Sequence, residues 1–150
     1  MPTRYQGSPE EVRALNAYIT LMRAASSVET RVQRHLAEVG LTLSQFGALE
    51  ILLHVGPLCA RDLCQKLLTT SGNITLVIDN LEKRGLVRRV RESADRRVVT
   101  VHLTPEGEAL IREVFPRHVA GITETLGVLS PDEQEELRRL CRKLGKQGAG

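Results

Sequence analysis

The stretch over residues 71–107 constrains the fold of this 150-residue chain more than any other part of its sequence. It begins with apolar residues at the spacing of an amphipathic helix, which stop near Gly85. Residues 87–91 and 98–103 then show the β-branched, alternating pattern that is typical of two strands. Residues 92–97 form a polar run between them. The sequence therefore predicts a short helix that leads directly into a β-hairpin.

Positive charge is concentrated in the same stretch. The chain carries 21 Lys and Arg against 18 Asp and Glu, and this net charge of +3 alone is a weak indication of a nucleic-acid partner. Residues 58–97 hold nine basic and five acidic side chains, a balance of +4, whereas residues 1–57 balance to zero and residues 98–150 to −1. The whole excess lies in the middle, which favours an anionic partner there. A solvated helix end beside a polar hairpin is the alternative that charge leaves open.

Helix start and stop signals cover most of the remaining sequence. Ser8, followed by Pro9 and Glu11, predicts a capping box for a long first helix that ends near Gly40. Pro116 lies inside a later apolar pattern and should kink or interrupt that helix. We therefore predict a mainly α chain with one β-hairpin. Its helices are expected at about residues 8–40, 42–56, 60–68 and 71–84, with two more inside 105–146 that are separated near Ser130.

Composition excludes several classes of protein. No apolar run reaches the ~20 residues that span a bilayer, and the first residues lack the apolar centre of a signal peptide, so a cytoplasmic protein without a membrane partner is expected. Three cysteines in such a chain indicate reduced thiols. With two Tyr, two Phe and no Trp, the chain is poorly equipped to stack single-stranded bases. Double-stranded DNA is the better candidate partner.

The helix over residues 71–84 has one apolar and one polar face. The apolar residues share a face that should pack on the rest of the domain: Ile74, Val77, Ile78 and Leu81. The opposite face and its flanks carry Gly72, Asn73, Thr75, Leu76, Asp79, Asn80 and Lys83. Asn can pair with adenine in a major groove, and Leu76 can meet a thymine methyl group. Gly72 lets the start of the helix approach a phosphate closely. An ordinary surface helix is the alternative.

The hairpin supplies a second predicted contact with DNA. Arg91, Arg96 and Arg97 lie in or beside its loop, where arginine can reach a minor groove of negative potential. Asp95 is more suited to pairing with one of these arginines and holding its side chain in an aimed conformation. The two short helices before the hairpin are joined by a brief polar turn, so residues 42–104 are predicted to form a winged helix-turn-helix.

The run Asp95-Arg96-Arg97-Val98-Val99-Thr100-Val101-His102-Leu103-Thr104-Pro105-Glu106-Gly107 resembles the wing signature of the MarR family of bacterial transcription regulators. Upstream, Leu81-Glu82-Lys83-Arg84-Gly85-Leu86-Val87 is similar to the family's junction between recognition helix and wing. The resemblance covers about residues 15–145. It implies a homodimer whose first and last helices form the dimerisation region, here residues 8–40 and 105–146.

By motif position, the resemblance implies that Arg97 contacts the minor groove and that Asp95 orients it. It likewise places Ser71, Gly72, Asn73 and Thr75 at the start of the helix that contacts bases and phosphates. A dimer also follows from the residues themselves, because the terminal helices carry apolar stripes that a small central core cannot bury. Two subunits would then occupy an inverted-repeat operator.

The resemblance further implies a repressor that is released by a small phenolic or aromatic ligand. Candidate ligand contacts, chosen by position, are Tyr18, Met22, Arg23, His54 and His118, for each of which core or surface filling is the alternative. A thiol-based redox switch is a second possibility. Its candidates are Cys59 and Cys141, whereas Cys64 lies among leucines and is expected to pack in the core.

Other classes of function find little support in the sequence. The chain has no nucleophile elbow and no phosphate-binding Gly-rich loop, so we expect neither an enzyme nor a cofactor. Its four histidines are scattered and predict no metal site. A dimeric protein-interaction module that uses the basic hairpin without binding DNA remains an alternative.

Overall fold

The computed structural model describes residues 1–67, 74–92 and 97–146. These residues form helices and one antiparallel hairpin, as predicted. In chain order the elements are α1 (Pro9–Glu38), α2 (Leu43–Val55), α3 (Ala60–Lys66), α4 (Ile74–Lys83), β1 (Val87–Arg91), β2 (Val99–Leu103), α5 (Pro105–Leu126) and α6 (Pro131–Gly145). The observed α3 is shorter than the predicted helix, since Leu67 already has an extended backbone. Pro116 lies inside α5, which continues as one helix through it.

Side-chain caps fix where the helices begin. Ser8, Thr42 and Ser130 each accept a hydrogen bond from the backbone of the third helical residue, whose own side chain accepts from the cap in return. Thr104 caps α5 by accepting from the Gly107 amide at 3.0 Å. A cap of this kind contributes about 1 kcal/mol to stability. Local sequence therefore determines these starts.

The core lies where α2, α4, α5 and the hairpin meet. Phe46, Leu49, Ile78 and Ile111 are fully buried there, and each stabilises the fold by roughly 1.5–3 kcal/mol through loss of apolar surface from water. Other buried members come from the end of α1, from α3, from α4 and from the hairpin: Val32, Leu36, Leu63, Leu81, Val87 and Val101. This shared core holds α4 and the hairpin in one unit.

The hairpin pairs β1 with β2 in antiparallel register, with Val87 opposite Leu103 and Arg91 opposite Val99. Gly85 ends the α4 segment with a φ of 73°, a left-handed conformation that favours glycine. On the far side of β2, Leu58 and Val101 exchange backbone hydrogen bonds of 2.7 and 3.4 Å. β2 therefore lies between β1 and the segment before α3.

The outer helices leave apolar surface uncovered. α6 has none of its described residues buried, and Leu137, Leu140 and Leu144 are exposed along it. Tyr18 and Met22 on α1 are also more than half exposed. No single described helix is long and apolar enough to cross a membrane, while α1 and α2, bent by 76° at their junction, meet that test together by length and composition alone.

Candidate nucleic-acid interface

The two faces of α4 lie as the sequence predicted. Ile78 and Leu81 are buried, with Ile74 and Val77 partly buried against the same core. Thr75, Leu76 and Lys83 are exposed, and Leu76 keeps 54% of its surface accessible. An exposed leucine between polar residues suits contact with a partner that presents both apolar and polar groups. This outward side of α4, together with the hairpin, is the candidate interface.

Five of the predicted contact residues lie outside the described residues. They are Ser71, Gly72, Asn73, Asp95 and Arg96. Their assignment to phosphate, base and groove contacts stays a prediction, as does the orienting role of Asp95. Arg91 and Arg97, which flank the hairpin loop, are described and exposed. The structure thus brings two predicted arginines to the same end of the hairpin.

An ion-pair cluster joins the hairpin to α4, and sequence reasoning did not find it. Arg89 in β1 donates from Nη2 to Asp79 at 2.6 Å and from Nη1 to Glu82 at 2.9 Å. Its backbone amide also donates to Glu82, at 2.9 Å. The partial burial of Arg89 lowers the pKa of its guanidinium, but these two carboxylates outweigh that effect and raise it. The feature of the sequence that could have indicated this cluster is the pair Asp79 and Glu82, three residues apart on one predicted helix and followed by a basic strand.

A second polar cluster lies on the hairpin near the loop. Nε2 of His102 is 2.9 Å from the Thr100 hydroxyl and 3.1 Å from a carboxylate oxygen of Glu92. Glu92 therefore lies beside groups of its own hairpin. This cluster was also not predicted: Thr100 and His102 share one face of β2, but Glu92 lies ten residues from His102, at the end of the other strand.

A mostly apolar cavity of about 720 Å³ lies between α1, α2, α5 and α6. His118 lines it, with its ring centroid 4.2 Å from that of Phe46. Its buried Nδ1 has no hydrogen-bond partner among the described residues. Burial lowers the pKa of His118, partly offset by the charge of Glu50, which favours the neutral form of the ring. His118 thus contributes a polar ring to a mostly apolar wall, with its Nδ1 closed off from solvent.

The other four predicted ligand contacts lie elsewhere among the described residues. Tyr18, Met22 and Arg23 are on exposed positions of α1. His54 is exposed near the end of α2, where its ring centroid lies 5.6 Å from that of Phe115. Of the five residues chosen by position, His118 is therefore the one that the structure places in the cavity wall.

The three cysteines differ in exposure. Cys64 is exposed, so the prediction that it packs in the core is wrong. In α3 it is Leu63 that turns inward, and the next residue on a helix points about 100° away. Cys59 is half-buried, whereas Cys141 is exposed on α6 and lines the cavity. Among the described residues, no group of three or more His, Cys, Asp or Glu side chains could hold a metal ion.

A helix with an outward polar face, joined to a basic two-stranded hairpin behind it, defines a winged helix-turn-helix protein. A family model described as the MarR family matches residues 41–99. The HTH-type transcriptional regulator YkoM of Bacillus subtilis is 38% identical over 143 residues, 95% of this chain and 93% of that protein. MhqR of the same organism, also an HTH-type transcriptional regulator, is 35% identical over 133 residues, 89% and 92% of the two chains. The chain belongs to the MarR family of helix-turn-helix transcriptional regulators.

Solved structures share the fold over nearly the whole chain. Sco3205, a MarR family regulator from Streptomyces coelicolor solved in complex with DNA, superposes with a TM-score of 0.82 at 24% identity, covering 96% of this chain and 91% of that one. BpsR from Bordetella bronchiseptica superposes with a TM-score of 0.76 at 29% identity, covering 97% and 98%. The work on BpsR concerns regulation of its DNA binding by 6-hydroxynicotinic acid.

Proposed function

We propose that this regulator is a homodimer that binds an inverted-repeat operator in double-stranded DNA and represses transcription until a small aromatic ligand releases it. The observation that carries the proposal is the position of α4, whose apolar face packs in the core while Thr75, Leu76 and Lys83 face outward beside a basic hairpin. Residues 42–104 then form the DNA-binding lobe, and the protein acts in the cytoplasm.

Each half of the interface has its own contact with DNA. Ser71, Gly72 and Asn73, which precede α4 in the sequence, and Thr75 in its first turn meet the major groove and nearby phosphates. Leu76 and Lys83 extend that contact along the helix. Arg97 enters the adjacent minor groove, supported by Arg91 and by its sequence neighbours Asp95 and Arg96.

Dimerisation uses the outer helices over residues 8–40 and 105–146. Leu137, Leu140 and Leu144 form one exposed apolar stripe on α6, at spacings of three and four residues. A helix that buries none of its own described residues gains little from its own chain. A second copy that covers this stripe would supply the missing burial and set the spacing between the two recognition helices.

The cavity beside His118 is the proposed effector site. Its apolar wall suits an aromatic ring, and the imidazole of His118 adds a polar side chain to that wall. Regulation of BpsR by 6-hydroxynicotinic acid, a hydroxylated aromatic ring, supports this class of ligand. Because Cys141 lines the same cavity, oxidation of this thiol is the second candidate signal.

Fluorescence anisotropy with the DNA that flanks this protein's own gene tests the proposal. We expect salt-sensitive binding with two subunits per site and a clear preference over a scrambled duplex. Arg97→Ala should weaken operator binding, and unchanged affinity would remove the wing from the mechanism. A folded dimer that binds neither duplex would refute DNA binding and favour the protein-interaction alternative.

The same assay separates the two candidate signals. Phenols and hydroxylated aromatic acids should release wild-type protein, and a His118→Phe variant should respond to them more weakly. If peroxide or a quinone releases the wild type but not Cys141→Ser, the thiol is the sensor. Equal release of the Cys141→Ser variant would exclude this cysteine.

A further inference from the structure

Arg89 holds the free edge of the hairpin against α4. Val101 exchanges its backbone hydrogen bonds with Leu58, so its partner Arg89 occupies a non-hydrogen-bonded position of the β1–β2 pair. The Arg89 amide therefore points away from β2, toward α4, where Glu82 accepts it. The outer edge of β1 is thus tied to α4 by a side chain of that helix rather than by a third strand.

The guanidinium strengthens this tie in two directions. Its two terminal nitrogens bind Asp79 and Glu82, which lie three residues apart on the same side of α4. A planar guanidinium can donate to two carboxylates at once, whereas a lysine ammonium acts as a compact point charge. A lysine at this position would keep the charge without spanning both acids.

The tie also affects electrostatics at the proposed interface. Asp79 and Glu82 keep 44% and 40% of their side-chain surface exposed beside the outward face of α4. Two uncompensated carboxylates there would repel DNA phosphates. Arg89 offsets one of these two negative charges within the protein, so its charge is used on α4 and not on the DNA backbone.

We propose that Arg89 is a positioning residue that fixes the separation and orientation of α4 and the hairpin, so that both reach the grooves of one half-site together. This inference rests on the proposed function. The two elements are then energetically coupled: contacts made by the hairpin tip contribute their full binding free energy only while α4 is correctly placed. Arg89 itself need not touch DNA.

A double-mutant cycle on operator DNA tests this coupling. The variants are Arg89→Lys and, as a matched control on the other face of the same strand, Arg88→Lys, each made alone and together with Arg97→Ala. Arg88 is exposed and has no ion pair among the described residues. Both substitutions keep the net charge, so a difference between their effects on binding cannot come from a loss of attraction to the phosphates.

We expect Arg89→Lys to weaken operator binding about tenfold and to reduce the further loss from Arg97→Ala severalfold. Arg88→Lys should leave the Arg97→Ala loss at its wild-type size. Thermal unfolding should show Arg89→Lys folded at the assay temperature, which separates misplacement of the wing from unfolding. Arg89→Lys should also bind the scrambled duplex nearly as well as wild type, since non-specific binding depends on charge.

Two results would overturn the role of Arg89. Additive losses for Arg89→Lys and Arg97→Ala, in protein whose wild type binds its operator, would show that the two elements act independently. Equal losses of operator affinity for Arg88→Lys and Arg89→Lys would show that the loss comes from replacing any arginine of this strand and not from the ion pairs of Arg89. Wild-type protein that binds neither duplex would instead overturn the proposed function and, with it, any part of Arg89 in recognition.

Discussion

Substituting Gly107 tests how closely the start of α5 is packed against the hairpin. A Cβ placed on Gly107 would overlap the carbonyl oxygen of Leu86 and lie 2.9 Å from its carbonyl carbon. It would also lie 3.1 Å from a methyl group of Leu103. The main obstacle is the backbone of Leu86 and not the end of a flexible side chain. Gly107→Ala must therefore displace either the residue that leads into β1 or the first turn of α5.

The expected loss follows from three contributions. Overpacking of this kind costs about 1–3 kcal/mol. The Leu86 carbonyl accepts the Thr104 amide at 3.1 Å, and loss of that hydrogen bond costs about 1 kcal/mol more. The higher helix propensity of alanine offsets up to about 1 kcal/mol of this loss of stability. We therefore expect Gly107→Ala to lower the free energy of unfolding by about 2 kcal/mol.

Urea unfolding followed by circular dichroism measures this change, at one fixed protein concentration because dimerisation contributes to stability. Gly145→Ala is the control: it lies in α6, and its Cβ would meet no described atom within 4 Å. That variant should match or slightly exceed wild-type stability. Equal stabilities of Gly107→Ala and Gly145→Ala would refute the steric argument.

Three further outcomes are expected. Burial lowers the pKa of His118 in the folded protein, so the unfolded chain binds a proton at this ring more readily. Wild type should therefore lose stability relative to His118→Gln as the pH falls below about 6.5. Parallel pH profiles of the two proteins in urea unfolding would contradict this. Leu140→Glu should shift the protein toward monomer in light scattering while Arg138→Glu on the polar side of α6 does not, and two unchanged dimers would exclude this stripe from the interface. Asn73→Ala should reduce the preference for operator over random DNA by ~1–3 kcal/mol, whereas equal losses on both duplexes would make Asn73 a backbone contact.

Features governed by neighbouring residues could be predicted from the sequence. The caps at Ser8, Thr42 and Ser130 each depend on a side chain three residues away. The inward face of α4 follows from helical periodicity, and Gly85 follows from the need for a left-handed residue after the helix. These signals are local, so no knowledge of the tertiary structure is needed to use them.

Contacts between distant segments could not be predicted in the same way. Cys64 was assigned to the core because leucines surround it in sequence, yet the rotation of a seven-residue helix turns it outward. His118 approaches Phe46 although 72 positions separate them, and Arg89 could have paired with any nearby acid. Such pairings depend on how helices pack, which periodicity does not specify.

Three of the polar contacts that sequence reasoning missed involve the C-terminal part of α4 or the residues just after it. Arg84 donates to the Gly40 carbonyl at 2.7 Å, which ties this end to the turn after α1, and Thr104 donates to the Gly85 carbonyl at 2.7 Å, which ties it to the start of α5. Arg89 adds the tie to β1. Apolar packing tolerates small rotations of a helix, whereas directional hydrogen bonds do not. Substitutions at these three positions should therefore change the choice of DNA sequence before they prevent folding.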